Sequence, residues 1–178
     1  MNYEQEIIST IQSDASRMRA LDAVKSLDLP DWLIAAGFVR NAVWDSVFGV
    51  KTQLNDIDVI YFCTLDNSEQ RDVLLERKLF SLAPNLPWSV KNQARMHLKN
   101  RDEPYTSTLD AMSYWPEKQT SVGVKVNRYN EIELKSSFEL SLLFNRSIDH
   151  NPFRSVEVFK RRIIGKGWLS KWPGLQVN

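Results

Sequence analysis

One cysteine, two histidines and six glycines in 178 residues, with a net charge of +1, exclude several classes of protein at once. Cys63 alone cannot build a disulfide framework, and its place directly after an apolar run reads as a buried free thiol. Neither His97 nor His150 stands at zinc-ligand spacing from another histidine or from Cys63. The near-neutral charge selects no polyanionic partner through bulk electrostatics. No apolar stretch approaches the roughly 18 residues of a membrane span, and the opening MNYEQE lacks a leader pattern, so the cytoplasm is the expected compartment and no membrane partner is expected. No linker rich in glycine, proline or serine interrupts the chain, no segment repeats, and 43% hydrophobic residues suffice for one core. Residues 1–178 are therefore expected to form a single domain.

What the chain does have is an acidic pair at the head of an apolar run, DIDVIYF over residues 56–62. Its period of two predicts a strand with Asp56, Asp58, Ile60 and Phe62 on one face and Ile57, Val59 and Tyr61 on the other. Two carboxylates on one face, with stems about 7 Å apart, repel by roughly 2 kcal/mol at an effective dielectric near 20. A divalent cation removes that repulsion, and Mg²⁺ is commonly held by one or two carboxylates together with substrate phosphates. An Asp-x-Asp pair by itself is also an ordinary loop feature, in which each carboxylate bonds nearby backbone.

The segment upstream supplies a second half to such a site. Trp32 to Ala36 is a short apolar run that suits a buried strand, Gly37 offers a tight turn, and Val39, Val43 and Val47 then recur at helical spacing until Gly49 closes the helix. A strand, a glycine turn and a helix start place free backbone amides where an anion binds. Arg40 in the first turn would add charge to that cradle, unless it pairs with Asp45 or solvent.

The pattern AGFVRN over residues 36–41, followed by a helix, a polar loop and Asp56-Ile57-Asp58, resembles the core signature of the DNA polymerase β nucleotidyltransferase superfamily. It is similar in particular to the Gly-Gly-x-Val-Arg-Asp and Asp-x-Asp segments of tRNA CCA-adding enzymes. Together with WSVKNQARMH (88–97), Trp115-Pro116 and KWPGL (171–175), it resembles a small bacterial nucleotidyltransferase-like family. The resemblance implies a minimal polymerase-β-like fold and Mg²⁺-dependent transfer of a nucleotidyl group from a nucleoside triphosphate to an acceptor hydroxyl. The acceptor is left open among small molecule, protein and RNA. It also implies roles. Asp56 and Asp58 would be the catalytic, metal-holding pair; Gly37, the Phe38 backbone, Arg40 and Asn41 would cradle phosphates; Lys91 and Asn92 would position nucleotide or acceptor.

Two departures accompany the resemblance. Phe38 stands where the superfamily usually has Gly or Ser. The strand beginning at Trp88, where a third carboxylate normally projects, offers Lys91, Asn92 and Gln93 but no acid; Asp110 and Glu133 are possible substitutes. Without a third acid, a nucleotide-binding or regulatory module that does not turn over is the alternative reading.

Elsewhere the chain is a mixture of helical and extended patterns. One long helix is expected from about Tyr3 to Leu27, further helices from about Ser68 to Leu82 and Thr106 to Trp115, a hairpin with strands at 120–126 and 131–134, and a helical turn at 138–144. The sum is a mixed α/β (α+β) architecture, a mixed sheet flanked by helices. Six tryptophans suit core packing, with Trp44 expected to fill space between helix and sheet. Between Arg154 and Lys171 six cations face only Glu157. That stretch is either the solvated face of a helix or a grip on the phosphates of a nucleotide tail or an RNA, which leaves an RNA-binding accessory protein as a third reading.

Overall fold

The computed structural model describes residues 2–178. Its centre is a five-stranded mixed sheet in the order β3-β2-β1-β4-β5. The strands are β1 (Leu33–Ala35), β2 (Ile57–Tyr61), β3 (Trp88–Asn92), β4 (Val122–Val126) and β5 (Ile132–Ser136). Only β2 and β3 run parallel; the other neighbours are antiparallel. The crossover between β2 and β3 is the helix α4 (Glu69–Leu82), as a parallel pair requires.

The expected long first helix is two helices, α1 (Tyr3–Gln12) and α2 (Ala15–Lys25). Asp14 breaks it. Its side chain accepts from the amides of Ser16 and Arg17 and so caps α2, while the Ser13 amide closes α1. With α3 (Gly37–Phe48), these helices bury Ile7, Ile11, Leu21, Phe38 and Val43 against the sheet face that carries Ile57, Val59 and Tyr61.

The opposite face is thinly covered. There Leu33, Ala35 and Ile60 meet Met112 from the short helix α6 (Thr108–Ser113), which follows the one-turn helix α5 (Met96–Asn100) in the chain. The row through Asp58 explains the remaining opening: its neighbours across the sheet are Ser89, Ala35 and, one strand further, Gly123. None of these side chains fills the space above the sheet. A Cβ at Gly123 would lie 3.0 Å from that of Leu33 and 3.3 Å from that of Ala35.

A second apolar cluster joins α3 to the C-terminal helices α7 (Val156–Lys166) and α8 (Trp168–Lys171). Trp44 belongs to it, not to the helix–sheet interface. Its ring meets Trp172 at 5.0 Å and Trp168 at 6.2 Å, both edge to face. The chain end is tied down by two short parallel strands, Ser147–Ile148 and Gln176–Val177.

The turn between β1 and α3 is strained at an unexpected residue. Ala36, not Gly37, has the positive φ (58°, with ψ −122°). Conformations of this kind cost a non-glycine residue about 1–3 kcal/mol, while a glycine loses about 0.5–1 kcal/mol more entropy on folding. Ala36→Gly is accordingly expected to stabilise the fold by about 1 kcal/mol, a rise in Tm of about 2–4 °C for this size. A lower Tm in a calorimetric scan would show that Ala36 is not strained.

Candidate active site

Asp56 and Asp58 stand where two clefts meet on the open face. The first, of about 200 Å³, is lined by Gly37, Arg40, Asn41 and both aspartates, and from the C-terminal helices by Lys166, Trp168 and Lys171. The second, of about 620 Å³, carries Lys91, Gln93, Lys99, Tyr114, Trp115 and Arg154. Both share the two aspartates with Ala36, Thr120, Arg162 and Lys166.

The aspartates are held by β2 and its entry. Asp56 is exposed; Asp58, paired with Ala35 on one side and Ser89 on the other, is half-buried. Neither carboxylate accepts a hydrogen bond from the described residues. Burial, and then the Asp56 charge, push the Asp58 carboxyl from 3.8 up to about 6, against the pull of Lys166, Arg40 and Arg162. Two carboxylates without donors, one of them resisting ionisation, are a donor set that fits a divalent cation. Among the described residues no group of three or more His, Cys, Asp and Glu side chains is placed to hold a metal. Asp110 accepts from the amide and hydroxyl of Thr106, and Glu133 pairs with Lys125 at 3.3 Å; neither lines a cleft with the aspartates. Neither therefore substitutes for the third acid.

The raised Asp58 value makes stability depend on pH. Below 3.8 the group is protonated folded and unfolded, and nothing is lost. Between 3.8 and about 6 the unfolded chain gives up its proton first, so stability falls as pH rises; above about 6 the full cost, about 3 kcal/mol, is present. Asp58→Asn, in chelator and without added metal, is expected to raise Tm by about 5–10 °C at pH 8 and to leave it unchanged near pH 3.5. Equal shifts at both pH values would show that the ionised carboxylate carries no such cost.

Gly37 and Phe38 open α3, and as its first residues their amides lack an intrahelical acceptor. The missing Cβ at Gly37 serves close packing: the atom would lie 3.2 Å from Asn41 Nδ2 and 3.4 Å from Arg40 Nη2. The Phe38 side chain is fully buried and its carbonyl accepts from Arg17 Nε (2.9 Å), so only its amide faces the helix start. Arg40 is buried. It donates from Nη1 to Thr120 Oγ1 (2.8 Å) and from Nη2 to Asn41 Oδ1 (2.9 Å), and its guanidinium lies over Trp168 at 4.5 Å and Trp44 at 5.1 Å. Burial lowers its pKa from 12.5 to about 10. The alternative pairing with Asp45 does not occur, because Asp45 accepts from Thr52 and from Trp172 Nε1 instead.

Lys91 and Asn92 part company. Lys91 pairs with Ile60 in register and lines the second cleft. Asn92 faces the other side of the sheet and is fully buried, where it accepts from the amides of Cys63 and Ala94 and donates to the carbonyls of Cys63 and Asp66. It stitches the end of β3 to the loop after β2, outside both clefts. Thr120 carries no signal in the sequence; the C-terminal cations Arg162, Lys166 and Lys171, for which a grip on a nucleotide tail is one of the expected roles, line the first cleft beside Trp168. The four-residue spacing of Arg162 and Lys166 signalled a shared helix face, but not which surface that face would meet.

An acidic pair on an open sheet face, beside the start of a helix that follows a strand and a tight turn, defines a nucleotidyltransferase head. The chain belongs to the family described as "Nucleotidyltransferase", whose profile matches residues 22–177. A solved structure described as revealing a CCA-adding enzyme head domain is 33% identical, covering 98% of this chain and 95% of that one, with a TM-score of 0.87. Two more distant structures share the fold. A tRNA-processing enzyme in an apo form is 15% identical, over 89% of this chain and 44% of its own, with a TM-score of 0.57. A CCA-adding enzyme in complex with CTP is 12% identical, over 96% and 47%, with a TM-score of 0.52. The chain thus spans less than half the length of these larger enzymes. No curated protein matches the sequence. No helix among the described residues is long and apolar enough to cross a membrane.

Proposed function

We infer that the protein transfers a nucleotidyl group from a nucleoside triphosphate to an acceptor hydroxyl, with Asp56 and Asp58 holding Mg²⁺. The observation that carries this is the convergence of a donor-free carboxylate pair, the free amides that begin α3 and a ring of cations on one open face. The bound metal would neutralise phosphate charge and polarise the α-phosphoryl group. The helix start at Gly37 and Phe38 takes phosphate oxygens through its amides. Arg40 and Asn41 brace that turn, and Arg40 adds its charge from beneath. A cleft of about 200 Å³ suits a phosphate chain, whereas about 620 Å³ falls in the range of sites for whole small molecules. The larger cleft, with Lys91, Gln93, Tyr114 and Trp115, is therefore the place for nucleoside and acceptor.

In the reaction, the acceptor oxygen forms a bond to the α-phosphorus while the bond to the bridging oxygen breaks. Pyrophosphate leaves and the hydroxyl proton passes to water. Positioning and fixed charge supply most of the acceleration in such chemistry. The test is incubation with each ribonucleoside triphosphate, Mg²⁺ and a panel of acceptor hydroxyls, with pyrophosphate release followed alongside triphosphate binding. Release with at least one triphosphate is expected. Binding without release would favour the non-catalytic nucleotide-binding module, the reading that the missing third acid supports, and no binding of any triphosphate would sink both.

A further inference from the structure

We propose that Lys166 and Lys171, carried by the last two helices, are the side chains that grip the triphosphate, Lys166 at the α-phosphate and Lys171 at the pyrophosphate that departs. The proposal rests on the reading of the first cleft as a nucleotide site and names who holds the nucleotide there.

Three of the seven cations that line the clefts are already committed. Arg162 is fastened to the buried Glu117, Nε to Oε1 at 2.5 Å and Nη2 to Oε2 at 3.1 Å. Arg154 is fastened in the same two-pronged way to Asp102. Arg40 is spent on Thr120, Asn41 and two indole faces. Lys166 and Lys171 are exposed, line the first cleft, and join no salt bridge among the described residues. They are the uncommitted positive charges of the cleft that holds the helix start; Lys91 and Lys99, also without a salt bridge among the described residues, line only the second cleft. Arg40, which lines the same cleft, also keeps a buried Nε without an acceptor among those residues. The cleft is therefore richer in donors than the protein itself can use.

The two lysines differ in position. Lys166 borders both clefts, with the aspartates between them, and of the cations acting on Asp58 it acts most strongly. Charge develops on the α-phosphoryl group at that junction during transfer. Lys171 borders only the first cleft, the one a leaving group would enter in line from an acceptor seated in the second.

Both are carried on a rigid seat although they lie close to the chain end. Gly167, at φ 63°, reverses the chain between α7 and α8. Trp168, 2% exposed, then stacks on Arg40, and Trp172, 1% exposed, donates to Asp45 Oδ1 at 2.9 Å. Lys166 and Lys171 thus stand on either side of Gly167, close in sequence to the buried Trp168 and Trp172, so packing fixes the backbone from which each side chain reaches the cleft.

The experiment titrates inorganic tripolyphosphate with Mg²⁺ into the wild type and into Lys166→Met, Lys171→Met and, as control, Lys160→Met, which is exposed on α7 and lines neither cleft. Calorimetry reports binding; unchanged Tm confirms that the variants fold. The expected result is binding about 10-fold weaker for each of the first two and unchanged for Lys160→Met, with weaker salt dependence in the two weakened variants. In turnover, Lys166→Met should raise KM about 10-fold and also lower kcat about 100-fold, whereas Lys171→Met should act mainly on KM. Wild-type affinity in both site variants, or no tripolyphosphate binding by the wild type, overturns the proposal. Lysine-dependent binding without pyrophosphate release from any nucleoside triphosphate upholds the grip and removes the transfer reading. Release that is indifferent to both lysines does the reverse.

Discussion

Asp58→Asn should lower pyrophosphate release by about 10³-fold or more, about 4 kcal/mol of barrier, while leaving the protein folded and, above pH 6, more stable than the wild type. The two effects have one cause. The carboxylate is carried above the sheet between Ser89 and Ala35, receives no hydrogen bond, and shares its field with Asp56. The folded protein therefore bears the cost of that charge, and only a bound cation repays it. An amide of the same shape removes the repulsion and the metal ligand together. Asp56→Asn should slow release to a similar degree with a smaller gain in stability, since Asp56 is exposed. The measurement is steady-state pyrophosphate release at saturating Mg²⁺ beside a thermal scan of the same preparation in chelator, without metal. Release within 3-fold of wild type in Asp58→Asn would remove Asp58 from the metal site, whatever its effect on Tm.

How far the site was legible depends on how local its causes are. The alternation of DIDVIYF fixes which face each side chain takes once β2 forms, and both aspartates do reach the open face beside the α3 start. The same alternation forbids Lys91 and Asn92 from sharing a face, so only one of them could line the cleft; the structure gives it to Lys91. The break at Asp14 was likewise written locally, as a capping residue inside an otherwise continuous helical pattern. By contrast, nothing near residue 166 reveals that α7 folds back across the sheet. That depends on Trp44, more than a hundred residues away, accepting Trp168 and Trp172 into one cluster, and on the left-handed turn at Gly167. The positive φ at Ala36 is equally non-local: alanine does not announce it, and the hydrogen bond that its N–H donates to the Val122 carbonyl on β4 holds it in place.

Arg162→Ala is expected to be the most destabilising single change near the site, by about 3–5 kcal/mol, with Tm falling by about 10 °C or more. Glu117 is completely buried, and Arg162 supplies both of its guanidinium bonds. Removing the cation leaves a buried carboxylate without its counter-ion, and Arg40, itself buried and held by Thr120, is not free to turn to it. The damage should spread. The turn that follows Glu117 presents Thr120 to Arg40, and Arg40 in turn supports Trp168, so the ion pair, the turn and the C-terminal seat stand or fall as one connected set. Adding Glu117→Gln to Arg162→Ala should recover most of the lost stability, because the isolated charge is gone; a salt bridge whose value lay mainly in mutual attraction would show no such rescue. Calorimetry of the wild type, the two single variants and the double variant at pH 7 decides it. A Tm for Arg162→Ala within 2 °C of wild type would mean that Glu117 finds another partner or takes up a proton at little cost, and that the C-terminal helices are anchored by their tryptophans alone.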